Sequence, residues 1–261
     1  PTLEKIHNKY YLRFSFTETV TLSDTPIAEQ IICAVDLGIN TDAVCSIMKA
    51  DGTILARKFI DFTSDKDRMI HAMNRTRRKQ SKYGPKSARG LWAYVKRLNE
   101  DRAKKISAAI VEFASQHSVD AIVMEHLDFK GCKKRGSKAQ RLSMWNHGII
   151  REKAEQKAHL LGIRIATICA WKTSALAFDG SGSVTRDDNN HALATFTTGK
   201  QYNCDLSASY NIGARYFIRE LLKSLPATEE SRVKAKVPDV GRRTSCTLST
   251  LRILVKECSA A

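Results

Sequence analysis

Short apolar runs divided by turn residues open the chain, and longer amphipathic stretches follow. Ile31–Val35, Ala43–Met48 and Ile54–Phe59 are strand-length runs separated by LGINTD and KADGT. Asp51-Gly52 is a dipeptide suited to a tight hairpin, so the three runs predict an antiparallel meander. Upstream, Tyr10–Phe16 reads as another strand and TLSDTP as a polar linker. From Asp65 to about Ser81 the pattern turns helical, with Arg75, Arg78, Lys79 and Lys82 at i, i+3, i+4 and i+7 on one face. KYGPKSARG breaks that helix. A second spans about Leu91 to Gln116, with Leu91, Val95, Leu98, Ile106, Ile110 and Phe113 roughly in phase. Val119–Met124 is a short apolar run of buried-strand type that ends at Glu125. A basic loop over 130–141 comes next, then a helix from about Trp145 to Leu161 stopped by Gly162, and a strand over Ile163–Ala170. Residues 172–203 are polar and glycine-bearing, which predicts an irregular insert. A helix from about Asp205 to Leu222 closes the core. Beyond Pro226 a polar, basic tail ends in the apolar stripe Leu248, Leu251, Leu254 and Val255.

Three antiparallel strands followed by helices, strand, helix, strand and helix predict an α/β fold. The economical arrangement is a mixed five-stranded sheet flanked by helices. A chain of 261 residues suits one large domain with appendages. No run approaches the ~20 apolar residues of a membrane span. PTLEKIHNKY lacks the apolar segment of a secretory signal. Seven scattered cysteines without a C-x-x-C pair point to a reducing, cytoplasmic setting, with Cys33, Cys45 and Cys169 acting as small apolar residues in strands.

Charge narrows the reading. The formal net charge is +16, which favours a polyanionic partner, nucleic acid rather than membrane. The charge is also clumped. Between Lys66 and Lys105 stand 14 Lys/Arg against three acids, and Lys130–Arg141 holds six with none. Arg75, Arg77, Arg78, Lys79 and Lys82 on the first helix are candidates for phosphate contacts. Lys130, Lys133, Lys134, Arg135 and Arg141 form a second candidate nucleic-acid-binding group directly after Glu125. Trp92, Trp145 and Trp171 are of a type that can stack on bases, but Trp145 on a helix and Trp171 after a strand read rather as core residues.

Three acids fall where chemistry can be built. Asp36 ends the first meander strand, Glu125 ends the fourth strand, and Asp205 opens the closing helix. Taken singly, each has an ordinary explanation: a turn aspartate before Gly38, a solvent-facing glutamate, and a helix N-cap. If the first and fourth strands are neighbours, the three can converge. Converging carboxylates repel and hold protons unless a cation joins them. Hard oxygen donors suit Mg²⁺ or Mn²⁺, two of which can drive phosphodiester hydrolysis. Gly38 would leave room for metal and phosphate beside Asp36.

The motifs AVDLGIN, IVMEHLDF and DLSASYNIGA resemble the three RuvC-like nuclease motifs of TnpB, the transposon-encoded RNA-guided nucleases related to type V CRISPR effectors. The resemblance extends to the basic helices, the Trp145 helix and the Thr173-Ser174 pair. It implies an RNase H-like (RuvC-like) fold over residues 31–225, with Asp36, Glu125 and Asp205 as catalytic and Mg²⁺-binding acids. It also implies DNA as target and a guide RNA from the transposon end. Residues 1–30 would close an N-terminal RNA- and DNA-gripping β domain, and 226–261 would be a basic C-terminal tail. The family carries a four-cysteine zinc ribbon where residues 172–203 lie. Here the ligand positions are Ala177, Gly180, Thr195 and Thr198, none able to replace a thiolate, so no structural zinc is expected and the insert is degenerate. His191 is read as an ordinary loop residue. Competing readings are a strand-transfer transposase, a non-cleaving nucleic-acid-binding regulator, and an actin-like or sugar-kinase ATPase. The last would need a second Gly-rich lobe that the sequence does not contain.

Overall fold

The computed structural model describes the chain apart from residues 7, 128–143, 188, 189, 191, 243, 260 and 261. Its centre is a five-stranded sheet built from β3 (Ile31–Asp36), β4 (Ala43–Lys49), β5 (Ile54–Ile60), β6 (Ala121–His126) and β7 (Arg164–Cys169), in the order β5-β4-β3-β6-β7. The meander is antiparallel, whereas β3–β6 and β6–β7 are parallel. Gly52 turns the β4–β5 hairpin at φ 80°, as its pairing with Asp51 predicts. The central strand β3 is buried almost throughout, which its unbroken apolar run IICAV requires. At the edge, β5 alternates half-buried and exposed positions and leaves Leu55 and Phe59 largely in solvent.

Side chains alternate between the sheet's two faces, and this assigns the layers. Ile32 and Ala34 of β3, Val44 and Met48 of β4, and Ala121 and Val123 of β6 share one core with Tyr210, Ile212 and Phe217. Those aromatic and apolar partners lie on the helix Cys204–Ser224, which is α4 here. Cys33, Val35, Cys45, Ile47, Ile122 and Met124 meet the opposite layer. That layer comprises α2 (Arg89–Gln116) and α3 (His147–Leu160). The basic helix α1 (Thr63–Tyr83) packs on α2 through Met69, Met73 and Val95. A Cβ on Gly213 would stand 2.9 Å from the Met48 thioether and 3.2 Å from Ala34 Cβ, so the glycine lets α4 lie close on the sheet.

Outside the sheet, the structure is more ordered than the sequence pattern suggests. The N-terminal segment forms a hairpin of β1 (Thr2–Ile6) and β2 (Lys9–Arg13), so the expected strand is shorter and has an unforeseen partner. Residues 172–203 are largely turns, as the sequence suggests, but not wholly irregular. They carry β8 (Thr185–Arg186), β9 (Leu193–Thr195) and β10 (Gln201–Asn203) in a small antiparallel sheet. A satellite core of Ala177, Ala194, Phe196 and Cys204 lies under it, with Phe178 edge-on to Phe196. Beyond Pro226 the chain forms α5 (Ala227–Lys236) and α6 (Leu248–Ser259), and Leu248, Leu251 and Leu254 join the α4 core.

One zinc-ligand position of the resembled family, Ala177, lies inside the insert's apolar core. Elemental analysis of the purified protein should therefore find no stoichiometric zinc, and a zinc-selective chelator should leave the thermal midpoint unchanged. A midpoint that falls on chelation would mean that metal holds the insert.

Candidate catalytic carboxylate site

Register and alternation bring two acids together. Val35 pairs with Met124 across β3–β6, so Asp36 and Glu125 follow side by side at the strand ends. By alternation both belong with Ala34 and Val123, on the sheet face covered by α4. The start of α4 carries Asp205. Its helix is capped by Asn203, whose Oδ1 accepts the Leu206 N–H at 2.8 Å. Asp205 is therefore not the N-cap and has no such duty. Asp36 makes no side-chain hydrogen bond among the described residues, so it is not a turn aspartate either. Nor is Glu125 solvent-facing: it is half-buried and accepts a hydrogen bond from the Thr173 hydroxyl.

The electrostatics tie the three acids together. Burial pushes the Asp36 carboxyl well above its ordinary range, and the charges of Glu125 and Asp205 push it further, against a smaller opposing pull from Arg186. Burial also raises Glu125, opposed by the Thr173 hydroxyl and by Arg215. Asp205 is raised by burial too, with Arg186 and the Thr41 hydroxyl opposing. Each of these groups resists ionisation and would gain from a cation. The donor chemistry, oxygen only and anionic, fits a hard divalent ion. As they stand, no three His, Cys, Asp or Glu side chains among the described residues are close enough together to hold an ion.

Several residues of the site carried no sequence signal of their own. Arg186 comes from the insert strand β8 and donates to Ser174 Oγ at 2.9 Å. Arg215 is buried on α4 and donates to the Cys169 and Trp171 carbonyls at 3.1 and 2.7 Å, and to those of Cys246 and Thr244 at 3.1 and 2.8 Å. One turn earlier, Asn211 Nδ2 donates to the Thr173 carbonyl at 3.0 Å. A buried arginine in an otherwise apolar helix face was the available hint. Thr173 belongs to the pair noted in the resemblance.

The loop after Asp36 has its own anchor. A Cβ on Gly38 would stand 2.4 Å from the Thr41 carbonyl oxygen, so loop closure is the reason the structure gives for this glycine. Asp42, 1% exposed, ends the loop, where it pairs with Arg102 of α2 and with Lys66 of α1.

Arg75, Arg77, Arg78, Lys79 and Lys82 all lie exposed along α1. Beside them, a cleft of about 510 Å³ runs between α1, the 37–42 loop and Trp145. Lys130, Lys133, Lys134, Arg135, Arg141 and His191 lie outside the described residues. Trp145 precedes α3 rather than lying in it, and is half-buried against the α2–α3 core. Trp171 is not a core residue: it is 63% exposed. Cys169 is exposed as well, because β7 is an edge strand and ends there.

No family model and no curated protein matches the sequence. Solved structures do match. A Cas12f1–sgRNA–target DNA complex is similar with a TM-score of 0.52 and 19% identity, over 73% of this chain and 51% of that one. A CRISPR–Cas12f ternary complex gives 0.50 and 17%, over 74% and 40%. An AacC2c1–sgRNA binary complex gives 0.53 and 10%, over 72% and 39%. This chain shares with those structures its α/β fold, a mixed five-stranded sheet flanked by helices. This chain spans about half or less of the length of those structures.

Proposed function

We propose that the chain is the nuclease part of a metal-dependent DNA endonuclease of RuvC type, directed by a guide RNA and associated with a transposon of the TnpB kind. The observation that carries this reading is the parallel β3–β6 register, which sets Asp36 beside Glu125 on the face where α4 brings Asp205. The pKa values of all three are raised by burial, and that of Asp36 also by the charges of Glu125 and Asp205, which supports a site that takes up positive charge. The net charge of +16 and the exposed basic face of α1 suit a polyanionic substrate. The similar Cas12f1 structure is a complex with sgRNA and target DNA, which favours the same partners here.

Asp36, Glu125 and Asp205 would hold Mg²⁺ or Mn²⁺. When bound, a pair of such ions supplies an activated water and charge to stabilise the leaving oxygen of a phosphodiester. The chain's own residues do the rest. The Thr173 hydroxyl fixes one Glu125 oxygen and leaves the other for coordination. Arg186 offsets negative charge beside Asp36 and Asp205, where a phosphate would otherwise be repelled. Arg215 and Asn211 hold the turn that carries Thr173. Lysines and arginines of α1 would bind the nucleic-acid backbone without regard to sequence.

Labelled single- and double-stranded DNA incubated with Mg²⁺ or Mn²⁺, with and without transposon-end RNA, tests the proposal. Cleavage should require the cation, become site-specific with RNA, and vanish in Asp36→Ala. Cleavage that persists in that variant would refute the site, and joining to transposon ends would favour a transposase.

A further inference from the structure

The turn after β7 has two functions in this structure, of which the acid site uses one. At its far end Thr173 donates to Glu125 and its carbonyl accepts from Asn211. At its near end the Trp171 carbonyl accepts from Arg215 at 2.7 Å, and Arg215 is itself locked to the carbonyls of Cys246 and Thr244. Both ends are thus pinned to α4. Between them Lys172 has φ 59°, a left-handed conformation that is strained for a residue with a side chain. The pinned turn leaves Trp171 63% exposed, although its neighbours two residues before and after bond to core elements. A tryptophan normally gains from burial, and this one stands on a pinned turn with its side chain in solvent.

We propose that Trp171 is a stacking platform for a nucleobase of single-stranded nucleic acid, lying next to the phosphodiester presented to Asp36 and Glu125, with Lys172 at a neighbouring phosphate. The assignment rests on the nuclease reading above and deepens it, because it names a residue that positions the strand. A single strand fits better than a duplex because duplex bases are already stacked on one another. An indole on a fixed backbone accepts any base through its π face, so the platform is indifferent to sequence. Two exposed cations belong to the same region, Lys172 next in sequence and Arg186, which donates to Ser174 of the same turn; they would supply the phosphate contacts that single-strand grooves combine with aromatic residues.

The test measures binding of a labelled twelve-nucleotide oligothymidylate and its abasic counterpart to the full chain, with Ca²⁺ in place of Mg²⁺. Trp171→Ala should weaken oligothymidylate binding by about fivefold or more and bring it close to the abasic affinity, with an unchanged salt dependence. Trp171→Phe should restore most of the difference. Lys172→Ala should instead make the slope of log affinity against log salt shallower by about 0.7. Because Trp171 is exposed, its replacement leaves folding intact, which circular dichroism verifies. Oligothymidylate binding by wild type with equal affinity in Trp171→Ala would overturn the stacking assignment alone. Wild type that binds neither oligonucleotide would overturn the nuclease reading as well.

Discussion

Asp36→Asn is expected to abolish DNA cleavage and, at the same time, to raise the thermal midpoint of the metal-free protein. The first effect follows from the proposed role of Asp36 as a metal-holding acid. The second follows from the direction of the pKa shift. A carboxyl whose folded pKa is raised holds its proton more tightly in the folded state. The stability it contributes is complete below its unfolded value, near 3.9, and is lost as pH rises through the folded pKa. At neutral pH the wild-type protein therefore bears the cost of either keeping that proton or burying the charge against Glu125 and Asp205, which an asparagine does not. The gain from Asp36→Asn should be close to zero near pH 4 and reach about 1–3 kcal/mol by pH 7. Asp120 and Glu220, whose pKa values are lowered, act in the opposite direction but equally in both proteins, so they cancel in the difference. Urea titrations of the two proteins across this pH range measure it. A difference that stays flat with pH would show that Asp36 is not strained by its neighbours.

Asp42→Ala should cause the largest loss of stability of any single substitution at the site, about 3–5 kcal/mol. Asp42 is essentially inaccessible and makes three interactions. It pairs with Arg102, it lies 3.2 Å from the Lys66 ammonium, and its second oxygen accepts the Phe62 N–H at 2.8 Å. Truncation strands the buried Arg102 guanidinium without a counter-charge and frees the loop that carries Thr41 toward Asp205. The double variant Asp42→Ala/Arg102→Met should recover much of the loss, because no unpaired charge is left behind. Additive urea-midpoint losses would mean that the pair does not act as a unit. Cleavage should fall together with stability, since the loop links Asp36 to α1 and α2.

The sheet was legible because its strands are either alternating or continuously apolar. Asp36 and Glu125 could be paired once β3 and β6 were taken as neighbours. Asp42 was not legible: in LGINTD it looks like any turn aspartate, and its partner Arg102 lies 60 residues later on another element. Trp171 was misread because the run IRIATICAW continues the apolar character of β7. The strand instead ends at Cys169 on a sheet edge, where Arg215 takes the carbonyls of Cys169 and Trp171. The insert's strands are two or three residues long, too short for any period to register. Whether Asp205 caps its helix was not legible either, because Asn203 two residues earlier is as good a cap by type and makes the capping bond.

Single-turnover cleavage by Asp36→Ala, Glu125→Ala, Asp205→Ala and their pairwise combinations tests most directly that the three acids form one site. Each single change should slow cleavage by about a thousandfold or more, and the double variants should be no slower than the singles, as groups that act as a unit behave. A single variant near the wild-type rate, or doubles whose losses multiply, would contradict the account.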